Sequence, residues 1–212
     1  MDEKTTGLIL RTRPLTETSL IVHWLTADLG RVTTVAKGAR RPKSPFRGKL
    51  DLFHLADLSF LHSRRSELHI LREVTLRETN RALREDLHLL QQAAYCAQLV
   101  EQATETDTPL PEIYPLMLGL LAFLPKHAAS PLPVFAFEMK LLAATGLQPD
   151  TTRTNLRPGT REILHRLSSA DWSLLAHLKL SVAQTAELRQ FLHGFLIYHL
   201  GRLPAGRHLA VG

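Results

Sequence analysis

The chain of 212 residues carries 26 Lys and Arg against 20 Asp and Glu, a net charge of +6, and a single cysteine. Its length suffices for one large or two small domains burying roughly 70% of the unfolded surface, while Cys96 alone excludes an intrachain disulfide and a cysteine-based zinc site. The opening Met1-Asp2-Glu3-Lys4 lacks the basic and apolar regions of a signal peptide. The longest apolar stretch, Ile113 to Leu124, is interrupted by Pro115 and falls short of the ~20 residues of a spanning helix, so a soluble cytoplasmic protein is expected.

In chain order, Gly7 to Arg13, Ser19 to Thr26 and Arg31 to Ala36 are short and rich in Ile, Val, Leu and Thr, and Asp28-Leu29-Gly30 offers a hairpin turn between the last two. Leu52 to Leu61 and Leu68 to Leu76 read as two more strands. Five short strands in about eighty residues fit a small closed barrel better than an open sheet, and an OB-fold is the expectation. Trp24 shares a strand face with Leu20 and Val22, which favours a place in the core.

Beyond the strands the pattern becomes helical. Asn80 is placed to cap a helix carrying Leu83, Leu87, Leu90, Ala94 and Ala97, up to a polar break at Glu105 to Pro109. Further helices are expected over Glu112 to Leu124, Val134 to Thr145, Thr160 to Leu167, Ser173 to Leu180, and Val182 to Leu200 stopped by Gly201. Gln148 to Gly159 reads as a polar loop holding Arg153 and Arg157. The expected fold class is α+β: a barrel over residues 1 to 79, then a helical bundle over 80 to 212.

Charge is uneven between these parts. Residues 1 to 80 hold 14 Lys and Arg against 9 acids, whereas residues 81 to 212 hold 12 against 11. A field concentrated on one small module points to a polyanionic partner, and nucleic acid is favoured over membrane because no amphipathic basic helix is present. Much of the excess lies in "AKGARRPKSPFRGKLDLF", residues 36 to 53, where Lys37, Arg40, Arg41, Lys43, Arg47 and Lys49 precede the first carboxylate, Asp51. Such a run can be no more than a solvated loop. The exclusion of acids, the mixture of arginine with lysine and the flanking Gly38 and Gly48 favour close approach to phosphates. Phe46 has two open readings, a platform for an unpaired base or an apolar plug on the barrel.

Catalytic patterns are absent: no G-x-S-x-G, no H-E-x-x-H, and no Walker A loop around Gly48-Lys49. The eleven histidines are scattered, and His193 and His199 do not share a helix face as a metal pair would. Cys96, within Ala94-Tyr95-Cys96-Ala97, reads as an inert packing residue. Neither a metal nor another cofactor is expected, and the protein is not expected to be an enzyme.

The stretch "GLILRTRPLTETSLIVHWLTADLGRVTTVAKGARRPKSPFRGKLDLF" resembles the N-terminal module of the bacterial RecO recombination mediators in its R-P-x-x-E turn, its L-T-x-x-x-G hairpin and its A-K-G-A-R-R segment. "FEMKLLAATGLQPD", residues 137 to 150, is similar to that family's central helix, and "LRQFLHGFLIYHLG", residues 188 to 201, to its last long helix. Many members carry Cys-x-x-Cys pairs after the segment matching Gly146 to Asp150. Here Thr151-Thr152-Arg153-Thr154-Asn155 follows instead, so the resemblance is to the zinc-free branch.

The resemblance implies a nucleoid-associated, non-enzymatic protein of DNA repair and recombination that binds single- and double-stranded DNA and anneals complementary strands. It also implies that, with RecR, the protein helps RecA replace single-stranded-DNA-binding protein; RecF is a further candidate partner. The expected DNA contacts are Arg31, Lys37, Arg40, Arg41, Lys43, Arg47 and Lys49, with Arg153, Arg157, Arg161 and Arg166 as a candidate second surface. The alternative is an interaction scaffold whose basic module docks on an acidic protein.

Overall fold

The computed structural model describes residues 2–63, 65–127 and 130–212, with the side chain of Arg153 outside the described set. Five strands, β1 (Asp2–Pro14), β2 (Leu20–Thr26), β3 (Arg31–Ala36), β4 (Leu55–Leu61) and β5 (Leu68–Glu78), close into a barrel in the order β1-β2-β3-β5-β4. This is the expected OB-like barrel, followed by helices, in an α+β chain. All pairings are antiparallel except the closure of β3 on β5, which runs parallel over Thr33, Thr34 and Val35 against Leu68, His69 and Ile70.

Closure depends on β1 serving two neighbours. Its first half, Asp2 to Leu8, pairs with β4, and its second, Gly7 to Pro14, pairs with β2. A register shift between Ile9 and Arg11 bends the strand between the two ladders. Gly7 stands where they overlap: a β-carbon there would lie 3.1 Å from Leu58 Cδ2 and 3.2 Å from Trp24 Cε3, a tight approach that a larger residue could make only by displacing a core side chain slightly. Ile9, Val22, Trp24, Val32, Leu58 and Phe60 fill the interior. Trp24 is wholly buried, as its strand pattern implies, and its indole Nε1 donates to Thr34 Oγ1 at 2.9 Å, which satisfies the one polar atom it brings inside.

The polar break after the first helix has a structural role that its sequence does not announce. The chain forms two compact units, one of residues up to Arg81 together with Thr104–Tyr114, the other of Ala82–Ala103 with Pro115–Gly212. Within the first unit Thr106 bridges to Arg31 at the start of β3, and the Asp107 N–H donates to the Arg31 carbonyl at 2.8 Å. His69 Nε2 of β5 lies 3.6 Å from Asp107 Oδ1. The segment thus covers the part of β3 that β5 does not reach.

Asn80 does not cap a helix. It adopts a left-handed conformation, φ 48°, tolerated by asparagine better than by most residues, and its Nδ2 donates to the Phe53 carbonyl at 2.7 Å. A short 3₁₀ turn, Arg81–Arg84, follows, and α1 (Leu87–Ala103) starts only after Asp86, whose carboxylate accepts from the His88 N–H at 2.7 Å.

The second unit is helical: α1, α2 (Ile113–His127) from Pro115 onward, α3 (Leu132–Ala144), α4 (Pro158–Ser169), α5 (Trp172–Leu175), α6 (Val182–Leu200) and α7 (Arg207–Ala210). Nearly all of α3 is buried, including Glu138. Its carboxylate accepts from the Tyr95 hydroxyl at 2.6 Å and from Arg207 Nε and Nη2 at 2.7 and 2.9 Å, so the charge is paired and hydrogen-bonded as burial requires. Cys96 is also fully buried, and desolvation pushes its thiol pKa up, in keeping with an inert packing residue.

Two helical expectations need correction. Ser173 to Leu180 forms only a short turn of helix: Trp172 packs against Gly119 and Phe123 of α2, the Leu178 N–H closes a turn on the Leu175 carbonyl at 3.0 Å, and the chain up to Ser181 is without regular structure. Ser181 caps α6 by exchanging hydrogen bonds with Gln184. The stretch from Gln148 to Gly159 is not wholly a loop either: Asp150 caps a 3₁₀ turn over Thr151–Arg153, and Pro158 and Gly159 already belong to α4.

Candidate nucleic-acid interface

The basic run joins β3 to β4, and its backbone is folded into successive turns. The N–H groups of Arg41, Ser44, Arg47 and Lys49 donate to the carbonyls of Gly38, Arg41, Ser44 and Phe46 at 3.0–3.2 Å. Gly38 and Gly48 adopt φ +70° and +72°, a conformation that glycine takes at no steric cost. Phe46 points inward, 7% exposed, and joins the barrel core. Of its two readings, the plug is the one observed, and it ties the middle of the loop to the barrel.

A second tie runs to the turn between β1 and β2. There Thr16 Oγ1 accepts from the N–H groups of Thr18 and Ser19 at 3.3 and 3.1 Å, which shapes the segment after Arg13-Pro14. Arg40 donates to this turn from its backbone N–H to Thr18 O at 3.0 Å and from Nη1 to Thr16 O at 3.2 Å. Arg47 Nη1 reaches Pro42 O at 3.4 Å. These bonds orient two guanidinium groups without neutralising them.

The seven expected contact residues do not all come together. Lys37, Arg40, Arg41, Lys43 and Arg47 are exposed on the loop and form no ion pair among the described residues. Lys49 is half-buried and turns back, its Nζ donating to the Val74 carbonyl at 2.9 Å. Arg31 stands at the opposite end of β3 from the loop, about 17 Å away at strand rise. Its Nε and Nη2 donate to Thr104 Oγ1 and O at 2.8 and 2.5 Å, so Arg31 anchors the covering segment and does not join the cluster.

Two cations that the sequence reading passed over extend the field. Arg11 and Arg13 are exposed on β1, two residues apart and therefore on one face, and the R-T-R spacing was the available signal. Their effect is visible at His23, the cross-strand partner of Arg11: burial first, then Arg11, Arg13 and Arg31, lower its pKa to about 4.

The second candidate surface is differently made. Arg157 precedes α4, and its Nε lies 3.2 Å from Glu187 Oε2 while its N–H donates to Oε1 at 3.0 Å. Hydrogen bonds from Thr160 and Arg157 hold the Glu187 carboxyl below the usual range. Arg166 pairs with Glu162 one turn back at 2.9 Å. Arg161 is half-buried, and the side chain of Arg153 lies outside the described residues. Two of the four charges are thus matched by carboxylates, unlike those of the loop.

Among the described residues no group of three His, Cys, Asp or Glu side chains is placed to hold a metal ion, and no helix is long and apolar enough to cross a membrane. A closed five-stranded barrel with an orderly, unpaired cationic loop at one end places the protein in the class of OB-type modules, a fold that serves oligonucleotide binding.

Comparison with known proteins refines the class. Residues 1–80 match the family described as Recombination protein O N terminal, and residues 84–156 match Recombination protein O C terminal. The chain belongs to the RecO family, whose named role is DNA repair and recombination. It is similar to the DNA repair protein RecO of Alkaliphilus metalliredigens, 31% identical over 175 residues, 82% of this chain and 70% of the relative. The RecO of Bacillus subtilis is 28% identical over 89% of this chain and 86% of its own length. That of Rhodopirellula baltica is 34% identical over 147 residues, 69% of this chain and about half, 54%, of the relative.

Proposed function

We propose that the protein is a non-enzymatic, DNA-binding recombination mediator that anneals complementary strands and, with RecR, assists RecA to load on DNA coated by single-stranded-DNA-binding protein. The observation that supports this reading best is the loop itself: five exposed cations, Lys37, Arg40, Arg41, Lys43 and Arg47, on a backbone fixed by its own hydrogen bonds. Strand annealing makes no covalent bond. It requires that two polyanions approach, and cations that neutralise phosphates on both lower their repulsion.

In this reading residues 1 to 79 form the DNA-binding module and residues 80 to 212 serve partner contacts, RecF among the candidates, in the cytoplasm at the nucleoid. Arg31 and Lys49 support the module from within, Arg11 and Arg13 add to its field, and the half-neutralised surface at Arg157, Arg161 and Arg166 contributes less. The test is annealing of complementary oligonucleotides coated with single-stranded-DNA-binding protein. Acceleration by the purified full-length chain, lost in an Arg40→Ala, Arg41→Ala variant that still folds, is expected. Absence of acceleration by wild type, or its persistence in the variant, would count against the assignment.

A further inference from the structure

Phosphate neutralisation does not account for one feature of the loop. Under the cations lies a depression of about 400 Å³ whose floor is Leu20, Phe46 and Leu50 and whose rim is Arg40, Arg41 and Arg47. No carboxylate lines it. A phosphate chain lying on arginines needs no apolar cavity beneath it, whereas a volume of this size is in the range that accommodates small organic ligands, roughly 300–1,000 Å³. The depression is held open by bonds already described: Arg40 is fixed to the β1–β2 turn, Arg47 to Pro42 O, and Phe46 to the core.

We infer that this depression is a receptor for one unpaired nucleobase of single-stranded DNA, its flanking phosphates held on the arginine rim; the inference rests on the reading of the loop as a DNA site. A base has two apolar faces and a polar edge, as the cavity has an apolar floor and a rim of N–H donors. The guanidinium planes of the rim suit stacking on a base as well as contact with phosphate. A base in an intact duplex is stacked and paired and would have to be extruded to enter. The pocket therefore selects single strands, and a strand caught by one base keeps its neighbours free to pair with a complement. Lys37 and Lys43 are not among the lining residues, so within the same loop some cations bind backbone alone while the rim arginines also frame a base.

The test varies the ligand and leaves the protein intact. Affinity of the full-length chain is measured for a single-stranded oligonucleotide and for the same sugar-phosphate backbone made abasic at every position, across a salt series. Binding roughly tenfold weaker to the abasic strand, with the same salt slope, is expected, since base stacking adds to the phosphate contacts and does not replace them. Ala39 also lines the depression, and Ala39→Leu, which fills part of it without touching a charge, should shrink the difference between the strands while leaving abasic binding unchanged. Equal affinity of wild type for the two strands would overturn the inference and leave the loop a phosphate clamp. Binding to neither strand would overturn the DNA assignment itself.

Discussion

Gly30 and Thr108 meet backbone to backbone: a β-carbon on Gly30 would stand 2.2 Å from the Thr108 carbonyl oxygen, and Gly30 itself adopts φ +71°. The hairpin between β2 and β3 and the segment returning after α1 are thus fitted to each other at a point where only a hydrogen atom has room. Gly30→Ala should destabilise the protein by about 2 kcal/mol or more, combining left-handed strain with the displaced contact. Chemical denaturation would show the midpoint moving down. A variant as stable as wild type would mean that the segment yields without cost.

The loop cations divide into two kinds, and salt distinguishes them. Replacing the exposed Arg40 and Arg41 by Ala should flatten the log-log salt dependence of single-strand binding by about 1.4, at ~0.7 per phosphate contact, and weaken binding to unrelated sequences alike. Replacing Lys49 by Ala should act mainly on stability, by about 1 kcal/mol, because it strips the Val74 carbonyl of its partner. Salt titrations paired with thermal melts separate the two effects; a double arginine variant with the wild-type slope would return the loop to simple solvated surface.

In the helical unit, Arg207→Met should be strongly destabilising, by roughly 3–5 kcal/mol, since it leaves the Glu138 carboxylate buried without its countercharge. The companion variant Arg207→Met with Glu138→Gln should recover much of the loss, because the neutral amide removes the stranded charge while its oxygen can still accept from the Tyr95 hydroxyl. Urea unfolding of the three proteins tests this; a double variant no better than the single would show that packing, rather than the stranded charge, dominates.

His23 makes stability depend on pH. Its folded-state pKa, about 4, lies below its ordinary value of 6.5, so between those values the unfolded chain binds more protons than the folded one. Stability therefore rises with pH through this window, and is lost as pH falls from about 6.5 towards 4. His23→Gln should flatten that part of the stability profile, measured by denaturation at a series of pH values. An unchanged slope would place the acid sensitivity elsewhere.

Much of the fold was legible where local pattern and tertiary demand agree. β3 spans Arg31–Ala36 and α6 spans Val182–Leu200 as their sequences imply, because a β-branched run after a turn glycine and a Ser181–Gly201 bracketed helix each carry their own boundaries. The misreadings share a cause. Asn80 has the right chemistry for a cap, but Phe53, distant in sequence, claims its side chain. The segment around Thr106 docks largely through its main chain, so no apolar pattern betrays it. Arg31 counts as a free cation in sequence because its partner, the Thr104 hydroxyl, is neutral and far along the chain. Charge density located the loop, yet could not say that Lys49 faces inward.

The return of Thr104–Tyr114 to the barrel also orders events in time. The ribosome delivers all five strands before α1, but the start of β3 waits for its covering partner until residues beyond α1 have been made. A nascent chain ending at residue 80 therefore presents an open sheet edge at Arg31, the kind of edge that recruits other strands. Completing the first module thus depends on synthesis of a helix assigned to the second, and a fragment of residues 1 to 80 alone keeps that edge open.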